Sequence, residues 1–135
     1  MVIPRLAGLC LLAISLALVF SSCGVCAPRP LISSISPGIA TAGGIQFVLT
    51  VNGNDFRRDS LVNWNGSSRV TTFVSSHQLE AAITAPDIAQ PGMVLVGVFN
   101  PPETNITRFS GAIGMGTITS CSGKDSNAVS FTVSL

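Results

Sequence analysis

The chain has 135 residues, a length that fits one domain. Seven basic residues stand against six acidic ones, and only 10% of the residues are charged, against roughly a quarter in a typical soluble domain. This near-neutral balance excludes the basic surface by which proteins bind nucleic acid, and it favours an exported β-protein whose polar surface consists of Ser, Thr and Asn.

The N-terminus has the layout of a secretory signal. An apolar stretch rich in leucine and alanine runs from Leu6 to Phe20, behind a single positive charge at Arg5. Small residues follow the stretch, as they do at the end of a signal peptide. We therefore predict that the protein is exported and that its first segment is not part of the fold.

Residues 19–24, with the sequence VFSSCG, resemble a bacterial lipobox. In such motifs an apolar residue stands three places before a cysteine, and small residues surround that cysteine. The resemblance implies that residues 1–22 are removed and that Cys23 becomes the lipid-bearing first residue. Phe20 departs from the motif, where Leu or Val is usual. The predicted location is a membrane of the bacterial cell envelope, where the lipid would anchor the protein.

Two other outcomes for the N-terminus stay open. Ordinary cleavage after Ala27 would release a secreted protein, although Pro28 would then follow the cut, which is unfavourable for the usual signal peptidase. An uncleaved anchor needs about 20 apolar residues to span a bilayer, and no charge lies between Arg5 and Arg29. Export is common to all three outcomes, whereas only lipidation depends on Cys23.

The cysteine count is compatible with one disulfide. Cys10 lies in the signal, and if Cys23 carries lipid, then Cys26 and Cys121 remain as an even pair. In an oxidising compartment these two can join, and two free thiols are the open alternative. A zinc site is not expected, because no second pair of ligands accompanies the cysteines and the single His77.

From Leu31 onward, short alternating runs separated by turn residues predict strands. The apolar residues of these runs are Ile45, Phe47, Leu49 and Val51; Val62 and Trp64; Leu79, Ala81 and Ile83; Val94, Val96 and Val98; and Val129, Phe131 and Val133. The breaks contain Pro-Gly and Asn-Gly pairs, which are typical of tight turns. About seven such strands predict an all-β, immunoglobulin-like sandwich.

The order and spacing of several motifs resemble an IPT/TIG domain, the immunoglobulin-like domain of plexins and some transcription factors. The matching segments are ISP at 35–37, AGG at 42–44, LTVNGNDF at 49–56, VNWNG at 62–66, TFVS at 72–75, QLEA at 78–81, VGVFNP at 96–101 and SNAVSFTV at 126–133. The resemblance implies a linker at 23–30, a domain at 31–135, and a role in protein interaction, adhesion or spacing without catalysis.

Immunoglobulin-like sandwiches usually run the first strand alongside the last. The resemblance therefore implies that Cys26 and Cys121 lie at the same end of the domain, since each precedes its strand by about five residues. This shared end is the argument for the disulfide, and two free thiols stay the open alternative.

The segment 102–125 departs from the family, in which a short turn joins the last two strands. Loops longer than about 12–15 residues usually carry function, form structure of their own or are disordered. Residues 106–109 and 116–120 are candidates for a small hairpin. The predicted interaction residues of this insertion are Ile106, Phe109, Met115 and Ile118. A mobile insertion without a partner is the open alternative.

Motifs for catalysis are absent from the sequence. No serine stands in a Gly-x-Ser-x-Gly elbow, and neither a calcium loop nor a phosphate-binding loop is present. We therefore expect no enzyme, no cofactor and no metal. The predicted function is a non-catalytic envelope lipoprotein that contacts the membrane through its lipid and binds an unknown envelope protein or glycan, not nucleic acid. The alternative is a secreted carbohydrate-binding module, although the chain has no Tyr and its one Trp is expected in the core.

Overall fold

A computed structural model of the chain describes residues 26–107 and 117–135. The signal segment, Cys23, Phe109 and Met115 lie outside the described residues. Twelve strands and one short 3-10 helix, Ala85–Ile88, form within the described part. The strands are β1 Leu31–Ser36, β2 Ile39–Thr41, β3 Phe47–Asn54, β4 Leu61–Trp64, β5 Ser67–Ser68, β6 Thr71–Ser75, β7 Gln78–Ile83, β8 Gly92–Asn100, β9 Glu103–Thr107, β10 Thr117–Cys121, β11 Lys124–Asp125 and β12 Val129–Ser134.

The strands form two packed sheets and a separate hairpin. The first sheet has the order β1-β3-β7-β6, and all of its pairs are antiparallel. The second has the order β2-β12-β8-β4-β5, with β11 also paired to β8. The hairpin consists of β9 and β10. This architecture confirms the predicted all-β, immunoglobulin-like sandwich.

Alternation along the strands places the core between the two sheets. Leu49 and Val51 of β3 are fully buried, as are Val62 of β4 and Phe131 of β12. The apolar residues of the five alternating runs are buried in the core, except for Ile45 and for Phe47 and Val129, which are partly buried and pack against it. Ile45 is 86% exposed, because β3 begins only at Phe47 and the alternation before it is not part of a strand.

The first strand does not run alongside the last. Instead β1 pairs with β3 in the first sheet, and the parallel neighbour of β12 is β2. Pro37 lies between β1 and β2, after a cis peptide bond to Ser36. Since proline has no N–H to donate to a strand ladder, the pairing of β1 ends here and the chain passes to the other sheet.

The turn between β4 and β5 holds the end of β4 against β8. Its two central residues, Asn65 and Gly66, both have positive φ, at 48° and 81°, as a two-residue hairpin of type I′ requires. The Asn65 N–H donates to the Leu95 carbonyl at 2.9 Å, and the Asn65 Oδ1 accepts from the Leu95 N–H at 2.8 Å. The pairing of β4 with β8 therefore stops at Leu95.

Gly53 allows β1 to approach β3 closely. A Cβ atom at this position would overlap the carbonyl oxygen of Leu31 and lie 2.7 Å from Cζ of Phe56. Phe56 is buried, and Leu31 belongs to a paired strand, so neither atom moves freely. The close contact of the two strands thus depends on the missing side chain.

We expect Gly53→Ala to lower the free energy of unfolding by about 1–3 kcal/mol, because the added methyl forces β1 or Phe56 to shift. Gly38→Ala is the control, since a Cβ there meets no atom within 4 Å. Urea unfolding of the purified proteins measures both effects. Equal midpoints for the two variants would contradict the close approach.

Candidate functional site

The two ends of the sandwich differ in their side chains. We call the end with Cys26, the loop 55–60, the β9–β10 hairpin and Cys121 the stapled end. The other end, with the Asn65–Gly66 turn, the 3-10 helix and the start of β8, is called the cleft end. Strand β8 runs from the cleft end, at Gly92, to the stapled end, at Asn100.

A disulfide joins the N-terminal segment to the hairpin at the stapled end. Cys26 is bonded to Cys121 across a sequence separation of 95 residues, with the two Cα atoms 5.6 Å apart. Cys121 is the last residue of β10 and pairs with Glu103 of β9. The bond therefore attaches the beginning of the described chain to the base of the hairpin.

Hydrogen bonds strengthen this attachment. The side chain of Asn127 accepts from the Ile32 N–H at 2.8 Å and donates to the Ile32 carbonyl at 3.0 Å. The Arg29 Nε donates to the Asp125 carbonyl at 2.9 Å, and Pro30 is fully buried. The expected linker at 23–30 is thus held along the domain from Cys26 onward.

Two buried polar residues tie the loop 55–60 to the end of β8. The Ser60 Oγ donates to the Asn100 Oδ1 at 2.6 Å, and the Asn100 Nδ2 donates to the Asp55 carbonyl at 3.0 Å. The Arg57 side chain binds both Asp59 and Glu103 at 2.8 Å. Every buried side-chain nitrogen and oxygen of the described residues has a hydrogen-bond partner.

The predicted hairpin of the insertion is present, but its bounds differ. The register pairs 103–107 with 117–121 and sets Ile106 directly opposite Ile118. The hairpin starts earlier than 106–109 because the Arg57–Glu103 ion pair and the Cys121 disulfide both fix its base. Of the four predicted interaction residues, the structure brings these two together.

The cleft end contains an open depression of about 430 Å³. Its walls are the Asn65–Gly66 turn, the pair Arg69 and Asp87, and the residues Pro91 to Met93 at the start of β8. The side chain of Met93 is 70% exposed beside it. Sequence reasoning missed this site, because the turn signal at Gln90-Pro91-Gly92 indicates only that a strand begins there.

Arg69 and Asp87 form a partly buried ion pair on the wall of the cleft. The Arg69 Nη2 lies 2.6 Å from the Asp87 Oδ1, and its Nε donates to Oδ2 at 3.0 Å. Both the N–H and the hydroxyl of Thr84 donate to Asp87 Oδ2 at 2.9 Å. Burial alone would raise the pKa of Asp87, but the hydrogen bonds and the charge of Arg69 outweigh it, so this pKa lies below its usual value.

The other residues considered for binding or catalysis, Trp64 and His77, do not form a common site. Trp64 is only 3% exposed and packs against Phe131, so it offers no free face on which a sugar could stack. His77 lies exposed in a turn, with its Nδ1 3.1 Å from the Gly53 carbonyl. Within 26–107 and 117–135, no group of three or more His, Cys, Asp or Glu side chains is placed to hold a metal.

No helix of the described residues is long and apolar enough to cross a bilayer.

The chain matches the model of a known domain family. The model of the IPT/TIG domain matches residues 30–112, which is more than half of the chain. The matched range begins just before β1 and ends within the insertion. Comparison with curated proteins returns no match.

The disulfide predicts a stability difference. Replacing Cys26 and Cys121 together by Ser should lower the free energy of unfolding by about 4–5 kcal/mol, because the unfolded chain regains the entropy of a loop of this length. Urea unfolding with and without dithiothreitol measures it, since reductant should weaken the wild type and leave the double variant unchanged. Peptide mapping that finds both cysteines alkylated before reduction would contradict the bond.

Asp87 predicts a loss of stability in acid. Its folded pKa lies below the unfolded value of about 3.9, so its contribution is complete above that pH and is lost as the pH falls through the folded pKa. Asp87→Asn should cost about 1–3 kcal/mol at neutral pH, since it weakens charged hydrogen bonds, and should flatten the fall below about pH 4.

Asp59→Asn is the matched control for Asp87→Asn. Asp59 also pairs with an arginine, but its side chain is 50% exposed, and exposed pairs contribute about 0–1 kcal/mol. Urea unfolding across the acid range compares the two variants. An Asp87→Asn protein with the wild-type pH profile would rule out the assigned role of the carboxylate.

Proposed function

The chain belongs to the IPT/TIG family, and from that membership we propose that it is a non-catalytic interaction module held on a bacterial cell envelope by a lipid on Cys23. The domain is of the immunoglobulin-like kind that generally serves as an interaction module rather than an enzyme. In this proposal residues 1–22 are a signal that is removed, and the domain at 31–135 follows a short bound linker.

The Cys26–Cys121 bond is the observation that carries the proposal. Cleavage after Ala27 would remove Cys26 and leave Cys121 as an odd thiol. Cleavage before Cys23 retains Cys26 and leaves an even pair. The disulfide therefore supports the lipoprotein cut over simple secretion from a site after Ala27.

The geometry of the stapled end also supports a tether at Cys23. Three residues of extended chain reach at most about 10 Å, so a lipid on Cys23 would hold the stapled end close to the bilayer. The several acyl chains of a bacterial lipoprotein anchor firmly, whereas a single chain binds only weakly and reversibly. The cleft end, at the other end of β8, would then face away from the membrane.

Metabolic labelling with a fatty-acid probe tests the lipid. The full chain, expressed in a bacterial host, should incorporate the label and sediment with membranes. Cys23→Ala should lose the label, because the acylated thiol is gone. Cys26→Ala is the matched control: it removes a cysteine three residues away and should keep the label. Phe20→Leu restores the usual lipobox residue and should raise the labelled fraction.

Two results would count against the proposal. A wild-type protein that stays in the membrane without label would indicate an uncleaved anchor. Label that persists in Cys23→Ala would place the lipid on another residue. Either result leaves the family assignment intact, since that depends on the match over residues 30–112.

A further inference from the structure

We propose that the cleft end binds an extended peptide segment of a partner protein, which adds to the second sheet by pairing with the backbone of Met93. The proposal rests on the proposed function only in treating the domain as an interaction module. It does not depend on the lipid, because the cleft and Cys26, the first described residue, lie at opposite ends of β8.

The first step is the unequal length of two neighbouring strands. Strand β8 has nine residues, and the β4 ladder covers only Val96 to Phe99, with the Asn65 turn adding the bonds at Leu95. On the side of β8 that faces β4, the described residues supply no strand beside Gly92 to Val94. The cleft occupies this position.

The second step is the direction of the Met93 backbone groups. In a strand, the N–H and C=O of one residue point to the same side, and residues two apart point alike. Leu95 directs both groups towards Asn65, on the β4 side. Met93, two residues earlier, therefore directs its N–H and C=O to that side as well, into the cleft.

The opposite neighbour of Met93 agrees with this direction. Thr132 of β12 is paired with Met93 in the register, but its N–H donates to the Gly38 carbonyl at 3.1 Å, on the far side of β12. Thr132 and Met93 are thus a pair that exchanges no backbone hydrogen bonds. A donor and an acceptor of β8 are left for an added strand.

The cleft around the Met93 N–H and C=O is suited to an extended peptide. The cleft of about 430 Å³ lies within the range of roughly 300–1,000 Å³ common for binding pockets. The Arg69–Asp87 pair on its wall is internally neutral, which gives no preference for an anion. A backbone that offers one donor and one acceptor matches an extended peptide, which binds by strand addition.

The side chains beside the cleft set the pattern of the partner. Cross-strand neighbours share a face of the sheet. A partner residue opposite Val94 would point inward, against Val94 and Trp64, and must be apolar. The residue opposite Met93 would lie on the outer face, where Met93 and Leu95 are 70% and 52% exposed. We therefore expect an uncharged segment with apolar side chains and no proline at its centre.

The test uses random heptapeptides displayed on phage and selected on the immobilised protein. Enriched peptides are then synthesised and titrated against the wild type, Met93→Pro and Met93→Ala. Proline removes the N–H that faces the cleft but takes no bond from the β12 ladder. We expect Met93→Pro to weaken binding about tenfold, as the loss of one hydrogen bond with its partner left unsatisfied requires. Met93→Ala keeps the backbone and should bind within about threefold of the wild type.

Amide exchange supplies a second readout that decides the matter if Met93→Pro does not fold. In the wild-type protein the Met93 amide should exchange fast when free and become protected when the peptide binds. Protection of Met93 by the peptide supports strand addition. Selection that enriches no peptide, equal binding by Met93→Pro, or an unprotected Met93 amide in the complex would each overturn it.

The same titration with the Cys23→Ala protein separates this proposal from the lipid anchor. Peptide binding should be unchanged in that variant, whether or not the wild type carries a lipid. Binding lost in Cys23→Ala but kept in Met93→Pro would overturn the assignment of the site to the cleft end.

Discussion

The packing of Phe131 between two other aromatic rings is the contact on which both sheets depend. Its ring stacks on Phe47 of the first sheet at 5.7 Å and lies 4.9 Å from Trp64 of the second. Such pairs contribute about 0.5–1.5 kcal/mol beyond the burial of their area. Because Trp64 is committed to this contact and is only 3% exposed, its indole serves packing rather than recognition.

The two ends of the sandwich differ in how far their polar groups are paired by hydrogen bonds within the domain. At the stapled end, Ser60 and Asn100 satisfy each other and the loop, while Asn127 satisfies the backbone of Ile32. At the cleft end, the ladder of β8 extends past the last residue of its neighbour. Since backbone N–H and C=O groups take a partner wherever one is supplied, the capacity to bind another chain concentrates there.

Local sequence patterns predicted the core but not the cleft. Alternation identified β3, β4, β7, β8 and β12, because a strand with one buried face leaves a period of two in the sequence. Alternation does not show which sheet the first strand joins, because the same sequence pattern of β1 and β2 is compatible with pairing in either sheet. It also cannot find the free edge at Met93, which depends on where β4 ends relative to β8. The even number of cysteines left after the signal, and their expected position at one end of the domain, suggested the pair of Cys26 and Cys121. The lipid on Cys23 stays a prediction.

The distance between Cys26 and the free edge of β8 bears on how a partner could reach that edge. A nine-residue strand extends about 30 Å at 3.4 Å per residue, so the cleft lies far beyond the screening length of about 8 Å at physiological salt. A tether at the stapled end would therefore leave the cleft outside the field of the membrane surface. The near-neutral charge of the domain fits this arrangement, because a partner that pairs through backbone hydrogen bonds needs shape and an open edge rather than electrostatic attraction. An exposed edge is also a hazard for self-association, and the short length of the free segment, Gly92 to Val94, limits that hazard while leaving room for one added strand.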